Sequence, residues 1–172
     1  MGQLIIPNEI LFPHIREEIR AGNSVRIRVK GNSMLPLIRP ETDEIELSPL
    51  DKRTLRKGNI VLARSEDGRY LVHRIEKVKA GVVFIRGDGN TSARETCTVD
   101  NVFAQVTGIF RKDKKIGKNS CQWKFAQYGW PSSPLLRRIC LGAFRRLRSL
   151  SRRTNSDCDE NKREHKNQAN RG

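Results

Sequence analysis

Three polar residues among the first ninety positions have the chemical types needed to cut an amide bond. Ser33 lies in Lys30-Gly31-Asn32-Ser33-Met34-Leu35-Pro36, where glycine permits a sharp turn and proline stiffens its exit. His73 follows in Val72-His73-Arg74-Ile75, and Asp88 in Gly87-Asp88-Gly89-Asn90. A serine hydroxyl attacks a carbonyl only when a base takes its proton. Imidazole titrates close enough to neutrality to do that, and a carboxylate can orient the imidazole. Each residue also has a plainer reading: Ser33 and Asp88 as turn formers, His73 as a satisfied core histidine.

The hydropathy pattern supplies the elements that would hold them. Asn8 caps a short helix, with Ile10, Leu11, His14, Ile15 and Ile19 at spacings suited to one face, and Ala21-Gly22-Asn23 stops it. His14, beside that stripe, reads as packing or surface rather than as a ligand. From Ser24 the period becomes two: Val25, Ile27 and Val29 alternate with Arg26, Arg28 and Lys30, a half-buried strand that delivers the chain to Gly31. The arginines of that strand read as a solvated face.

Further strands are expected over 43–47, 59–63, 70–78, 82–85 and 102–110, and 59–63 is a continuous apolar run of the kind buried on both faces. Pro36 and Pro40 exclude 35–40 from a central strand. About six short strands behind one helix predict a mainly antiparallel β domain. His73 then falls in mid-strand with Leu71 and Ile75 on its face, and Asp88 in the turn after the neighbouring strand.

Charge divides the chain. Residues 1–110 carry 17 Lys and Arg against 14 Asp and Glu, whereas residues 111–172 carry 17 against 5, so the front is near neutral and the back is strongly basic. The four cysteines, Cys97, Cys121, Cys140 and Cys158, form no metal-binding spacing and read as reduced thiols of a cytosolic protein. No cofactor or metal is expected. The first residues lack the basic and apolar stretches of a cleaved signal peptide, and no apolar run reaches the length of a membrane span.

With these residues in place, the chain resembles a known superfamily. Gly31-x-Ser33-Met34-x-Pro36, His73-Arg74-Ile75 and Gly87-Asp88-x-Asn90, in that order, resemble the G-x-S-M-x-P, H-R-[VI] and G-D-x-N boxes of type I signal peptidases of the Ser-His branch. That superfamily is shared with LexA-like self-cleaving repressors, and the resemblance covers about residues 24–110.

The resemblance implies a curled, mostly β signal-peptidase-like domain and a serine endopeptidase acting on a peptide or precursor protein. It gives Ser33 the nucleophile's role and His73 that of general base and then acid. It leaves the orienting acid open between Asp88 and Glu95. Gly31, Asn32 and Met34 would support the turn and the oxyanion. Where many relatives have an oxyanion hydroxyl two residues before the nucleophile, this chain has Gly31, so backbone donors must serve. The membrane-spanning N-terminal helix of the family is missing.

The repressor branch uses a lysine base, for which Lys77 is a candidate on the His73 strand. Its self-cleavage would need a bond such as Ala21-Gly22, which stands too close to Ser33. A catalytically silent or self-cleaving regulatory module is the alternative function.

The basic end has its own pattern. Residues 111–118 read as a loop, and Trp123, Phe125, Tyr128 and Trp130 cluster after it. Beyond Pro131 a helix places Leu135, Leu136, Ile139, Cys140, Ala143, Phe144, Leu147 and Leu150 on one stripe, with Arg137, Arg138, Arg145, Arg146, Arg148, Arg152 and Arg153 opposite. A basic amphipathic helix of this kind suits an anionic membrane surface, with docking on the β domain as the plain alternative and nucleic acid disfavoured. The expected layout is a lead-in helix over 1–23, a peptidase-like domain over 24–112, a basic amphipathic extension over 113–153 and a disordered tail over 154–172. It places the protein in the cytoplasm, peripheral to a membrane.

Overall fold

A computed structural model describes residues 8–40, 42–112, 114–131 and 133–147. After helix α1 (Asn8–Arg20) the chain forms eight strands: β1 (Val25–Arg28), β2 (Asp43–Ser48), β3 (Ile60–Arg64), β4 (Tyr70–Lys79), β5 (Val82–Arg86), β6 (Glu95–Thr98), β7 (Val102–Arg111) and β8 (Lys114–Gly117). They make one antiparallel sheet in the order β1-β2-β7-β3-β4-β5-β6, with β8 also paired to β7. Short helical turns at Cys121–Lys124 (α2) and Phe125–Gly129 follow, then helix α3 over residues 134–147.

The expected β-dominated architecture holds, with two strands more than the hydropathy pattern gives. Glu95-Thr96-Cys97-Thr98 buries only Cys97, so β6 has no apolar alternation to reveal it. The stretch 111–118, expected as a loop, turns at Lys112 with φ 47° and returns as β8 against Gly108–Arg111.

The sheet divides the core because it curls. Ile60 and Leu62 of β3 face one apolar cluster, with Ile15, Ile45, Leu47, Val106 and Ile109, while Val61 and Ala63 face a second, with Ile75, Val83, Ile85 and Cys97. β3 is therefore buried on both faces, as its unbroken apolar run predicts. The far edge folds back as well, since the Glu66 N–H donates to the Thr96 carbonyl of β6 at 3.0 Å.

α1 closes the first cluster through Phe12, Ile15 and Ile19, and Phe12 stacks on Tyr70 of β4 with ring centroids 4.6 Å apart. Phe12 takes the place expected for Ile10 and His14, both of which are exposed. Ala21-Gly22-Asn23 caps this helix: Gly22 adopts φ 89° and the Asn23 N–H reaches the Glu18 carbonyl. The arginines of β1 are occupied by surface contacts, Arg26 over the Phe110 ring and Arg28 with Glu44.

The segment between β1 and β2 is an apolar plug rather than a strand. Met34, Leu37 and Ile38 enter the first cluster, and Leu35 is buried beside them. Its far end is tied by Asp43, which is fully buried and accepts from Arg111 Nε at 2.8 Å and Nη2 at 2.6 Å. The same Arg111 donates to the Leu37 carbonyl at 2.8 Å, so one cation fixes both the plug and the start of β2.

The basic extension expected from residue 113 onward is joined to the sheet. β8 pairs with β7, Trp123 and Ala126 lie in the first cluster, and α3 buries Arg137 and Leu141. The tail over 154–172, together with Leu150, Arg148, Arg152, Arg153 and Cys158, lies outside the described residues.

Because removing one partner of a buried ion pair strands the other charge, Asp43→Ala is expected to lower unfolding free energy by about 3–5 kcal/mol. Arg28→Ala breaks an exposed pair and should cost at most about 1 kcal/mol. Urea denaturation of both variants beside the parent measures the contrast.

Candidate active site

Ser33 is presented by backbone, not by a regular element. Gly31 adopts φ 85°, in open surroundings, which turns the chain out of β1. The plug residues that follow then pull the turn onto the core, and the Leu35 N–H closes it by donating to the Asn32 carbonyl at 3.2 Å. Gly31 and Asn32 stay exposed, Ser33 is half-buried and the Met34 side chain is buried. Among the described residues, the N–H groups of Ser33 and Met34 donate no hydrogen bond within the chain. They are the two backbone donors nearest the Ser33 hydroxyl in sequence.

The loop after β5 lies directly on this turn. Gly89 N–H donates to the Ser33 carbonyl at 2.7 Å. A Cβ at Gly87 would strike the Ser33 carbonyl oxygen, and one at Gly89 the Asn32 carbonyl oxygen, so both glycines are required by the closeness of the two backbones. The G-x-S and G-D-x-N stretches, 54 positions apart in sequence from Ser33 to Gly87, are thus one structural unit.

His73 lies opposite Val61 in the β3–β4 ladder and is 2% exposed. β4 buries three residues in succession, His73, Arg74 and Ile75, because the curled sheet covers both of its faces there. The carboxylate beside it is that of Glu95 at the start of β6: its Oε2 lies 3.1 Å from His73 Nδ1. That contact favours the tautomer with the proton on Nδ1 and the lone pair on Nε2, the form a general base needs.

Burial is the largest influence on this imidazole and holds it below its usual 6.5, against the opposing pull of the Glu95 and then the Asp88 carboxylates, with Arg69 adding to the downward push. His73 is therefore neutral at pH 7.

Asp88, one of the two carboxylates the sequence leaves open, has another partner. Its carboxylate accepts from Arg74 Nε at 2.8 Å and Nη2 at 2.6 Å, a buried bidentate pair, and Arg74 Nη1 continues to the Gly58 carbonyl at 3.0 Å. Asp88 reaches His73 through its charge and locks the loop that holds Ser33. Arg74 adjoins His73 in β4, and Gly89 adjoins Asp88, so a short chain of contacts runs from Ser33 to the histidine's strand.

No hydrogen bond joins the Ser33 hydroxyl to His73 among the described residues. Apo sites commonly leave this distance long and close it on substrate. Lys77 does not compete as a base: a bulge between Ile75 and Lys77 breaks the alternation of β4, and its Nζ sits exposed, 4.2 Å from the Phe84 ring centroid. Nor does Cys97, whose thiol burial pushes up to about 11.

Two further residues belong to the site, and neither was visible as such in the sequence. Trp130 Nε1 donates to the Asp88 carbonyl at 2.7 Å. Arg137, read as part of the wet face of α3, is buried, and its Nη1 lies 3.2–3.4 Å from the carbonyls of Gly87, Asp88 and Asn90. A guanidinium shared among three carbonyls fixes the loop that abuts Ser33. An arginine in a row of arginines carries no sequence signal for that task. Among the described residues no group of histidine, cysteine or acidic side chains could hold a metal ion.

Two substitutions separate the carboxylates. Glu95→Gln removes the strongest upward pull on His73 and should move the acid limb of any Ser33-dependent rate to lower pH, with a reduced plateau and near-parental stability. Asp88→Ala leaves Arg74 buried and unpaired and should cost about 3–5 kcal/mol in urea denaturation. His73 itself makes folding weaker in acid: the unfolded chain takes up a proton near 6.5 that the folded chain resists, so its contribution is complete above 6.5 and is lost as pH falls through the lower, folded value. No protein-family model matches the chain, and no curated protein sequence matches it.

Proposed function

We propose that the chain is a serine endopeptidase of the signal-peptidase and LexA-like type, built on that superfamily's curled β domain, and that it cleaves a peptide or precursor protein. The observation that carries this reading is the pairing of a buried, neutral His73 with Glu95, on a strand locked through Arg74 and Asp88 to the loop that holds Ser33. A histidine buried only for packing also needs an acceptor for its N–H; what favours the catalytic reading is the addition of a strand tied to the Ser33 turn.

In this mechanism His73 Nε2 takes the Ser33 hydroxyl proton as the oxygen attacks the substrate carbonyl. The proton leaves with the amine, which frees an acyl-enzyme at Ser33. Water, activated by the same nitrogen, then releases the acid and restores the hydroxyl. Glu95 stabilises the imidazolium formed at each step. The Ser33 and Met34 N–H groups serve the oxyanion in place of the side-chain hydroxyl that Gly31 cannot supply; one such donor is worth about 10²–10³-fold in rate.

The open Ser33–His73 contact favours a second reading, a catalytically silent regulatory module. Comparison of new protein N-termini in cells expressing the parent and Ser33→Ala forms decides between them. The peptidase reading expects a set of cleavages that disappears with Ser33→Ala and with His73→Gln while both variants melt like the parent. Equal cleavage by parent and alanine variant, or no cleavage by either, leaves the silent module.

A further inference from the structure

Helix α3 has two apolar surfaces, and the fold uses only one. Arg137, Leu141 and Phe144 recur at steps of four and three and face the domain: Arg137 and Leu141 are buried, and the Phe144 ring centroid lies 5.6 Å from the Arg39 guanidinium. Next to this inner stripe Leu135, Leu136, Ile139, Ala143 and Leu147 sweep an arc of about 120° on an ideal helix. The four large residues of that arc remain 52–67% exposed. Four large aliphatic side chains left in water along one arc cost free energy that a second layer would recover.

The chemistry around the arc says what that layer is. On an ideal helix Arg138 and Arg145 flank the arc beyond Leu135, Arg146 projects within it near the last described turn, where a long side chain can reach back to headgroups, and all three are exposed. From Lys114 to Ser156 the sequence holds 11 Lys and Arg and no Asp or Glu. A nucleic acid would pair with the arginines but leave the leucines in water. A protein partner would match the leucines but would need an acidic rim of its own. An anionic bilayer matches both at once, with aliphatic side chains among the acyl chains and guanidinium groups at the headgroups. Phe125 and Tyr128, also exposed, lie in the segment leading to the helix and are of the type enriched at that interface.

We infer that α3 is a peripheral membrane anchor that lies in the headgroup layer of an anionic bilayer through Leu135, Leu136, Ile139 and Leu147, while its inner stripe stays on the domain. The helix does not cross the bilayer; no described helix is long and apolar enough to do so. This inference does not depend on whether Ser33 is a nucleophile.

The test is flotation of the full chain with vesicles of phosphatidylcholine alone or mixed with phosphatidylglycerol. Binding is expected to the mixed vesicles, and about tenfold or more weaker to the neutral ones, because each arginine near an anionic surface contributes about fivefold. The double variant Leu136→Asp, Ile139→Asp should bind the mixed vesicles about 100-fold more weakly, since each buried aliphatic side chain is worth tenfold or more. Ile10→Asp, an equally exposed apolar site on α1, should leave binding unchanged, and melting curves show that the variants fold.

Four outcomes overturn the inference. They are no binding to mixed vesicles, binding that the double aspartate variant retains, displacement from vesicles by duplex RNA or DNA, and a dimer in sedimentation that the same variant dissolves.

Discussion

Everything at the candidate site depends on how closely two backbones approach, the Ser33 turn and the loop Gly87–Asn90. The Gly89 N–H to Ser33 carbonyl bond is possible only because neither Gly87 nor Gly89 carries a Cβ. This contact is local in space and remote in sequence, so the rest of the fold must bring its two sides together. One side is supplied by the apolar plug, held in the core and tied down by Asp43 and Arg111. The other is supplied by the β4–β5 hairpin, from which the loop leaves and to which Arg74 returns it through Asp88. A buried ion pair adds little to net stability compared with apolar packing, but breaking it is costly, which makes it a good device for fixing one loop position.

The division of labour between the two carboxylates follows from the same constraint. Asp88 sits between the two glycines that abut Ser33, and its carboxylate is bound to the guanidinium of Arg74. Glu95 comes from β6, which the curl of the sheet brings over His73, and it is free of such a partner. With Glu95 beside the histidine and Asp88 paired to Arg74, desolvation outweighs the upward pull of the two carboxylates. The protonation state of His73 is thus set by the path of the sheet as much as by its nearest neighbour.

Much of this was legible in the sequence where one residue type answers one need. The alternation of Val25 and Ile27, the unbroken run of β3 and the glycines of both turns report burial or backbone freedom directly. β6 and β8 did not report themselves, because edge strands of Glu, Thr, Lys and Gly bury almost nothing and gain their place from pairing alone. The choice of Glu95 over Asp88 was equally closed to sequence reading. Both are acids at plausible positions, and the deciding fact is the Arg74 side chain, whose direction depends on the curl. Arg137 escapes sequence reading for a related reason: periodicity assigns a charged residue to water, whereas the carbonyls of Pro131, Gly87, Asp88 and Asn90 around its guanidinium make burial of the charge tolerable.

Arg137 also ties the two proposed roles of the chain to one geometry. Its guanidinium touches the loop that holds Ser33, while its helix turns Leu135 and Ile139 outward. An α-helix is about 10–12 Å across with its side chains, so a bilayer resting on the outer arc would lie about one helix diameter from the 87–90 loop. An extended strand covers that distance in three or four residues. A substrate anchored in the same membrane would therefore need only a short exposed segment to reach Ser33, and one whose cleavable bond lies within the acyl chains would be out of range. If the serine acts and the helix docks as proposed, substrates would be selected by how far their scissile bond stands from the membrane surface.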